Sequence, residues 1–519
     1  MVHTLSGYLH RDAIYNEAPI ELKFTHFARG RSAMHKLMAM RELKRARTDA
    51  KTTGGSRETP ACPQERGNCY VARGRTVHVT GLTLTDHHFK VPLDYSDESK
   101  GEIDLFVRVA MKQIHAENAR LPCLLFLQGG PGFEGPRPMD EEGWMKNACA
   151  KFRVFLLDQR GTGLSSPITT SGLLRRGDPT AQAEYLSHFR ADNIIRDAEV
   201  VRKAMCHDCG GTGLWTLLGQ SFGGFCAVHY LSAFPTSLAE VLLTGGIPPN
   251  IDEPCSAESA YTRLFRKVIM QNGKFYKRFP GDAEQVRRVV RFLIGQPEGG
   301  VRTLSGNLLT PRGLQSLGCQ GLGSYGGMER LHYLLERVWE RPDEELSVQF
   351  LKGFDAWLSW DTNPLYALLH EACYCNGGPS NWAAQRVRDT HYSEHFDAAL
   401  AAANGRPVMF TGEMVFPWMF EDFAALQPLK EAADTLAKRS DWPGLYNLDT
   451  LGTNTVPTAG ATYYEDMYVD FELAQASAAR IANIRQYITN EYMHSGLRDD
   501  GPHIFERLLG MTRGTVPLF

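Results

Sequence analysis

Three nearly uninterrupted apolar runs, Leu124-Leu-Phe-Leu127, Val154-Phe-Leu-Leu157 and Leu214-Trp-Thr-Leu-Leu218, constrain what this chain can fold into more than any other feature. Each has the length of a strand and is too apolar to lie on a surface, so each reads as a strand covered on both faces, as in a parallel sheet. The stretches between them carry helical spacing instead. Asn193 to Met205 places Ile194, Ile195, Ala198, Val201 and Met205 at helical intervals with charges between. Strands alternating with helices predict βαβ units and a doubly wound, mostly parallel α/β sheet. Sheet character is expected to begin near His87, with Phe89-Lys-Val-Pro-Leu93 and Ile103 to Ala110, and to run through Val241-Leu-Leu-Thr244.

Beyond Thr244 the pattern changes to helices, exemplified by Tyr261 to Gln271, Gln285 to Leu293 and Met328 to Trp339. Strand character returns at Thr455 to Tyr464 and at Gln486 to Thr489. The expected organisation is an extension over residues 1–84, a first part of the α/β core over 85–247, a large helical cap over 248–452 and the rest of the core over 453–519. The extension carries a basic run, Arg29, Arg31, Lys36, Arg41, Lys44, Arg45, Arg47 and Lys51, followed by a Thr-, Gly-, Ser- and Pro-rich joint from Thr52 to Pro63. An Arg-rich organelle-targeting leader is one reading. Asp12, Glu17 and Glu21 oppose it, and a solvated extension is the plainer alternative.

A net charge of −3 and a hydrophobic share of 43% describe a chain able to bury a large core, with no bulk feature calling for nucleic acid. The stretch from Cys209 to Pro235 holds no charged residue, but Gly219, Gln220, Ser221, Gly223 and Gly224 interrupt it, so no membrane span is expected. The 11 cysteines are odd in number and no signal peptide precedes them, which points to a reducing, cytoplasmic setting. Cys206-His-Asp-Cys209 and Cys373-Tyr-Cys375 lack a second ligand pair at zinc spacing and are read as plain thiols, so no metal is expected.

The chemistry centres on Gly219-Gln-Ser221-Phe-Gly223. A G-x-S-x-G pentapeptide alone marks little more than a turn, but here a buried strand leads in and Phe225-Cys-Ala-Val-His-Tyr-Leu leads out with helical character. That is the setting of a nucleophile elbow in the α/β-hydrolase fold, with Ser221 as nucleophile. An acyl-transfer serine needs an oxyanion hole, built in this fold from the N–H after the nucleophile and one from the loop after the third strand. Gln128-Gly-Gly130-Pro-Gly follows the strand ending at Leu127, so the expected donors are the backbone N–H groups of Phe222 and Gly130. The acid and the base must follow in that order. Asp466 and His494 fit, while Glu465 and Asp470 compete with the first and His503 with the second.

Gln128-Gly-Gly-Pro-Gly, Asp158-Gln-Arg-Gly-Thr-Gly-Leu-Ser-Ser-Pro and Gly219-Gln-Ser-Phe-Gly-Gly together resemble the proline iminopeptidases, serine peptidases that release N-terminal residues, preferentially proline. The resemblance runs from about residue 85 to the C-terminus and is to the larger form with an extended helical cap. It implies Ser221, Asp466 and His494 as the catalytic triad, no cofactor or metal, and short peptides with a free N-terminus as partners. It further implies cap carboxylates that hold the substrate's α-amino group, with Glu413 the best match and Glu371 a second candidate. Gln128 departs from the family, whose motif usually begins with His; because the oxyanion donor is a backbone group, a tuned loop is expected. Phe416, Trp418 and Phe420 are candidates for a proline-ring pocket or for core.

Gly321-Leu-Gly-Ser-Tyr-Gly326 matches a dinucleotide pattern, yet no apolar strand precedes it and a nucleotide site is not expected. Asp158 and Arg160 are read as locks on their loop. The rival readings are another hydrolase of this fold, such as an esterase, amidase or dipeptide-releasing peptidase, and a silent binding protein that keeps the scaffold.

Overall fold

Why the central strands are apolar throughout is plain from their surroundings. In the computed structural model, which describes residues 69–517 apart from 116, 117, 119, 207–211 and 358, alternate side chains of each strand enter two different cores. Leu125, Leu127, Phe155, Leu157, Leu217 and Leu243 pack into one, and Leu124, Phe126, Val154, Leu156, Leu218 and Leu242 into the other. The basic run of the extension and Cys209 of the CxxC lie outside the described residues.

The sheet has nine strands. In chain order these are β1 (Tyr70–Val79), β2 (Leu82–Pro92), β3 (Glu102–Lys112), β4 (Cys123–Leu127), β5 (Arg153–Asp158), β6 (Trp215–Gln220) and β7 (Leu238–Thr244), then β12 (Thr458–Tyr463) and β13 (Ile484–Thr489). Two-stranded pairs β8 (Val301–Arg302) with β9 (Leu308–Leu309), and β10 (Trp339–Arg341) with β11 (Glu345–Leu346), stand apart from it. The spatial order is β1-β2-β3-β5-β4-β6-β7-β12-β13. The first three strands and the β3–β5 pair are antiparallel, and β5 onward is parallel.

Helices cover both faces. α1 (Gly143–Lys151) and α6 (Gly501–Thr512) bury Trp144, Ala148, Phe505 and Leu508 in the smaller core. α2 (Ala191–Met205) and α3 (Phe222–Ala233) close the other face, and α3 is buried almost all round, which explains why it carries no Asp, Glu, Lys or Arg. Residues between β7 and β12 form mainly helices, among them α4 (Ala257–Arg278) and α5 (Ala383–His391), and their core is continuous with that face of the sheet. No helix among the described residues is long and apolar enough to cross a membrane.

Two boundaries differ from expectation. The sheet begins at Tyr70, well before residue 85: β1 is an edge strand with almost every residue exposed, so no apolar alternation announces it. The helix expected over Met328 to Trp339 stops at Glu336, and Trp339 opens the β10–β11 pair.

The loop after β5 is locked as expected. Arg160, fully buried, donates through Nε and Nη2 to both oxygens of Asp197 on α2, at 2.7 and 2.6 Å, and through Nη1 to the carbonyls of Leu93 and His188. Asp158 accepts from the Gly135 and Leu164 backbones and from Arg137, tying the β4 and β5 loops together. A buried cation stripped of its anion is costly. Asp197→Ala is therefore expected to destabilise the protein by about 3–5 kcal/mol, measured as the shift in the denaturant unfolding curve.

Candidate active site

Ser221 sits between the end of β6 and the start of α3 with φ 84° and ψ −118°, a left-handed conformation unusual for a residue with a side chain. The flanking glycines make the turn feasible. A Cβ on Gly219 would stand 2.4 Å from the Gly223 carbonyl oxygen, and one on Gly223 would stand 1.9 Å from that of Leu127. Gly246 closes the elbow from beside it, since its Cβ would lie 2.6 Å from the Ser221 carbonyl oxygen. This packing turns the serine hydroxyl out of the sheet edge.

His494 lies in the turn after β13 and Asp466 in the turn after β12, on the same edge of the sheet. The Ser221 hydroxyl is 2.9 Å from His494 Nε2, and His494 Nδ1 is 2.7 Å from Asp466 Oδ2. The other Asp466 oxygen accepts from the Tyr468 and Val469 N–H groups at 2.8 and 3.0 Å, which fixes the carboxylate. With Nδ1–H directed at the carboxylate, Nε2 is left to accept the serine proton. Gly245, at φ 52°, leaves room for the imidazole: a Cβ there would be 3.1 Å from Nδ1.

The competitors for these roles are engaged elsewhere. Glu465 pairs with Lys274, Asp470 accepts from the Glu472 and Leu473 N–H groups at a helix start, and His503 lies on α6 beside Tyr487.

The loop after β4 is pressed against the elbow. A Cβ on Gly129 would be 2.6 Å from Gln220 Oε1, 3.0 Å from the Gln220 carbonyl oxygen and 3.0 Å from Ser221 Cβ, so the loop lies close against the elbow. Gly130 follows at φ 128°. Phe222 is the first residue of α3, where an N–H has no partner within the helix. Gly130 and Ser221 line one cavity of about 520 Å3, and Phe222 follows Ser221 at the head of α3. Gln128 lines the same cavity, and its carbonyl accepts from Gln159 Nε2 at 3.0 Å, so the residue that departs from the family pattern is held by its backbone.

Glu413 lines this cavity together with Ser221 and His494, and Glu371 does not. Glu371 is corrected to a structural role: its two oxygens accept from the Ala383 and Ala384 N–H groups at 3.1 and 2.9 Å, at the N-terminus of α5. Glu413 is different. Its side chain is only 10% exposed, accepts the Tyr374 hydroxyl at 3.1 Å, and pairs with no Lys or Arg among the described residues. Burial holds its carboxyl well above the usual carboxylate range, and Asp466 adds to the rise. His370 Nε2 is 3.7 Å away, but burial lowers that imidazole to about 3, so it brings no positive charge.

Phe416, Trp418 and Phe420 are buried and do not line the cavity. Its apolar wall includes Phe133, Trp360, Tyr366, Met414 and Tyr468, which carry no sequence signal beyond their type. The Gly321–Gly326 segment reaches the site. Gly323 abuts the Tyr468 ring, and the Tyr325 N–H donates to Ser495 Oγ beside the histidine. Among the described residues no three His, Cys, Asp or Glu side chains gather at metal-binding spacing.

Residues 122–292 match the family described as the alpha/beta hydrolase fold. A proline iminopeptidase of Aeromonas sobria is 46% identical over 434 residues, which span 83% of this chain and 97% of that protein. A proline iminopeptidase of Aspergillus aculeatus is 37% identical over 441 residues, 83% of this chain and 94% of that one. Among solved structures, a proline iminopeptidase of Mycobacterium smegmatis aligns over 82% of this chain and 99% of its own, at 14% identity and a TM-score of 0.38.

Replacing the carboxylate that fixes the imidazole tautomer while keeping its shape isolates its electrostatic role. Asp466→Asn is expected to lower the turnover of any ester or amide substrate about 10⁴-fold, with the unfolding midpoint changed little, as read from steady-state rates beside thermal denaturation.

Proposed function

We propose that this chain, which belongs to the proline iminopeptidase family, is a serine aminopeptidase that releases an N-terminal residue, preferentially proline, from short peptides through an acyl-enzyme. The observation that carries this reading is Glu413, a largely buried carboxylate without a Lys or Arg partner among the described residues, in the same cavity as Ser221 and His494. Such a group is costly unless something positive arrives to meet it. A substrate's α-ammonium supplies that charge, and anchoring it sets how far into the cavity the chain can reach, leaving the first peptide carbonyl at Ser221.

Ser221 Oγ attacks that carbonyl as His494 Nε2 takes its proton. The Phe222 and Gly130 N–H groups face the developing oxyanion, and Asp466 stabilises the imidazolium. His494 returns the proton to the leaving amine. Water, activated by the same imidazole, then resolves the acyl-enzyme. Residues 248–452 act as a cap that supplies Glu413 and, with Trp357, Trp360, Tyr366, Met414 and Met419, part of the apolar wall, suiting a proline ring and limiting the pocket to one terminal residue. The cytoplasmic location belongs to the same proposal and rests on an odd count of 11 cysteines, which suits a reducing compartment.

Fluorogenic amino-acid amides test the reading. Prolyl-amide is expected to be turned over, its N-blocked form to be a far poorer substrate, and Ser221→Ala to abolish both activities; equal rates on the free and blocked amides would remove α-amine recognition.

Acidity should act through Glu413. Because its carboxyl is raised, the anion that binds an ammonium is lost as pH falls through a value above the usual carboxylate range. KM for the unblocked amide is therefore expected to rise on acidification, and Glu413→Gln to raise KM about 10²-fold at neutral pH while removing most of that acid-side rise.

A further inference from the structure

Cys255 and Cys375 lie 120 residues apart in sequence and face each other across an isolated antiparallel bridge. Cys255 just precedes α4, and Cys375 follows the single turn Glu371–Tyr374. The Ser256 N–H donates to the Tyr374 carbonyl at 3.1 Å, and the Asn376 N–H to the Pro254 carbonyl at 2.7 Å. With a hydrogen bond on either side, the two cysteines form the non-hydrogen-bonded kind of pair, in which side chains come closest. The Cα spacing of such a pair, about 4.5 Å, falls within the span of roughly 4.4–6.8 Å that a disulfide bridges. The two Sγ atoms are already 3.7 Å apart, so side-chain rotation alone would bring them into bonding distance.

The two sulfurs are not equivalent. Cys255 is half-buried and its thiol is made more acidic, first by its hydrogen bond with Cys375 and also by the Ala257 N–H at the start of α4. Cys375 is buried and its thiol is raised, first by its hydrogen bond with the Cys255 sulfur and then by burial; its Sγ also lies 3.7 Å from the Glu371 carbonyl oxygen. Cys149, Cys226 and Cys373 are also buried, with thiols raised mainly by burial. One accessible, acidic thiol with a second thiol behind it is the arrangement that oxidation by a peroxide exploits.

We propose that Cys255 and Cys375 are a reversible oxidation site, with Cys255 attacking hydrogen peroxide and Cys375 resolving the product to a disulfide. The Cys255 sulfur attacks one peroxide oxygen and the O–O bond breaks, leaving a sulfenic acid on Cys255 and one water. The Cys375 sulfur then displaces the sulfenic oxygen, which leaves with the Cys375 proton as a second water. Two thiols are oxidised by two electrons and the peroxide is reduced to two waters. A dithiol such as dithiothreitol restores both thiols by exchange. The bond would fasten the approach to α4 to the turn carrying Tyr374, whose hydroxyl is bonded to Glu413.

The test treats the purified full chain with hydrogen peroxide, alkylates the remaining thiols, digests without reductant and maps the peptides by mass. The expected product joins the peptides bearing Cys255 and Cys375, lighter by two hydrogens than their sum, and disappears on dithiothreitol treatment. Cys255→Ser and Cys375→Ser should each abolish it, and Cys373→Ser should retain it. Alkylation of both cysteines after peroxide treatment, a bond from either to another cysteine, persistence of the joined peptides in either serine variant, or irreversible sulfinic acid as the main product would each overturn the assignment. None of these readouts depends on the substrate.

Discussion

The left-handed backbone of Ser221 is the constraint on which the rest of the site depends. A conformation of this kind costs about 1–3 kcal/mol and survives only where the surroundings over-determine it. Here the surroundings are backbone atoms: the Leu127 carbonyl against Gly223, the Gly223 carbonyl against Gly219, and Ser221 itself against Gly246. Those contacts tie three parallel strands, β4, β6 and β7, to the first turn of α3. The hydroxyl is thereby aimed at His494, and the first N–H of α3 lies beside it with no helical partner. Strand packing thus fixes both the nucleophile and one expected oxyanion donor.

The rest of the chemistry is brought in by sequence far away. Asp466 and His494 come from strands added after the insert, and Glu413 from the insert itself. The large core is shared between that insert and one face of the sheet, and Met414, Val415 and Phe416, which follow Glu413, are packed into it. The isolation of Glu413 from positive charge sets a directional demand that the triad lacks. Ser221 would treat an ester and an amide alike, whereas in the proposed function it is Glu413 that would distinguish a free N-terminus from a blocked one.

How much could be read from the sequence followed how local each determinant is. The apolar strands, the elbow and the glycine loop announce themselves because neighbouring residues decide them. β1 escaped notice because an exposed edge strand has no buried face to pattern it. Asp466 and His494 needed the resemblance, since Glu465, Asp470 and His503 offered the same chemistry in the same order. Glu371 was expected to meet substrate, but its partners, the Ala383 and Ala384 amides, become adjacent only on folding. The aromatic cluster at Phe416, Trp418 and Phe420 drew attention to a pocket whose walls are other residues. Likewise the true neighbour of Cys375 is Cys255, not the nearby Cys373.

The central claim is that Ser221 is activated by His494 and Asp466. Intact-mass and peptide analysis after exposure to a fluorophosphonate tests it without assuming any substrate. A single adduct on Ser221, formed much more slowly in His494→Ala, is the predicted result. Labelling at another residue, or none in a folded protein, would contradict the account.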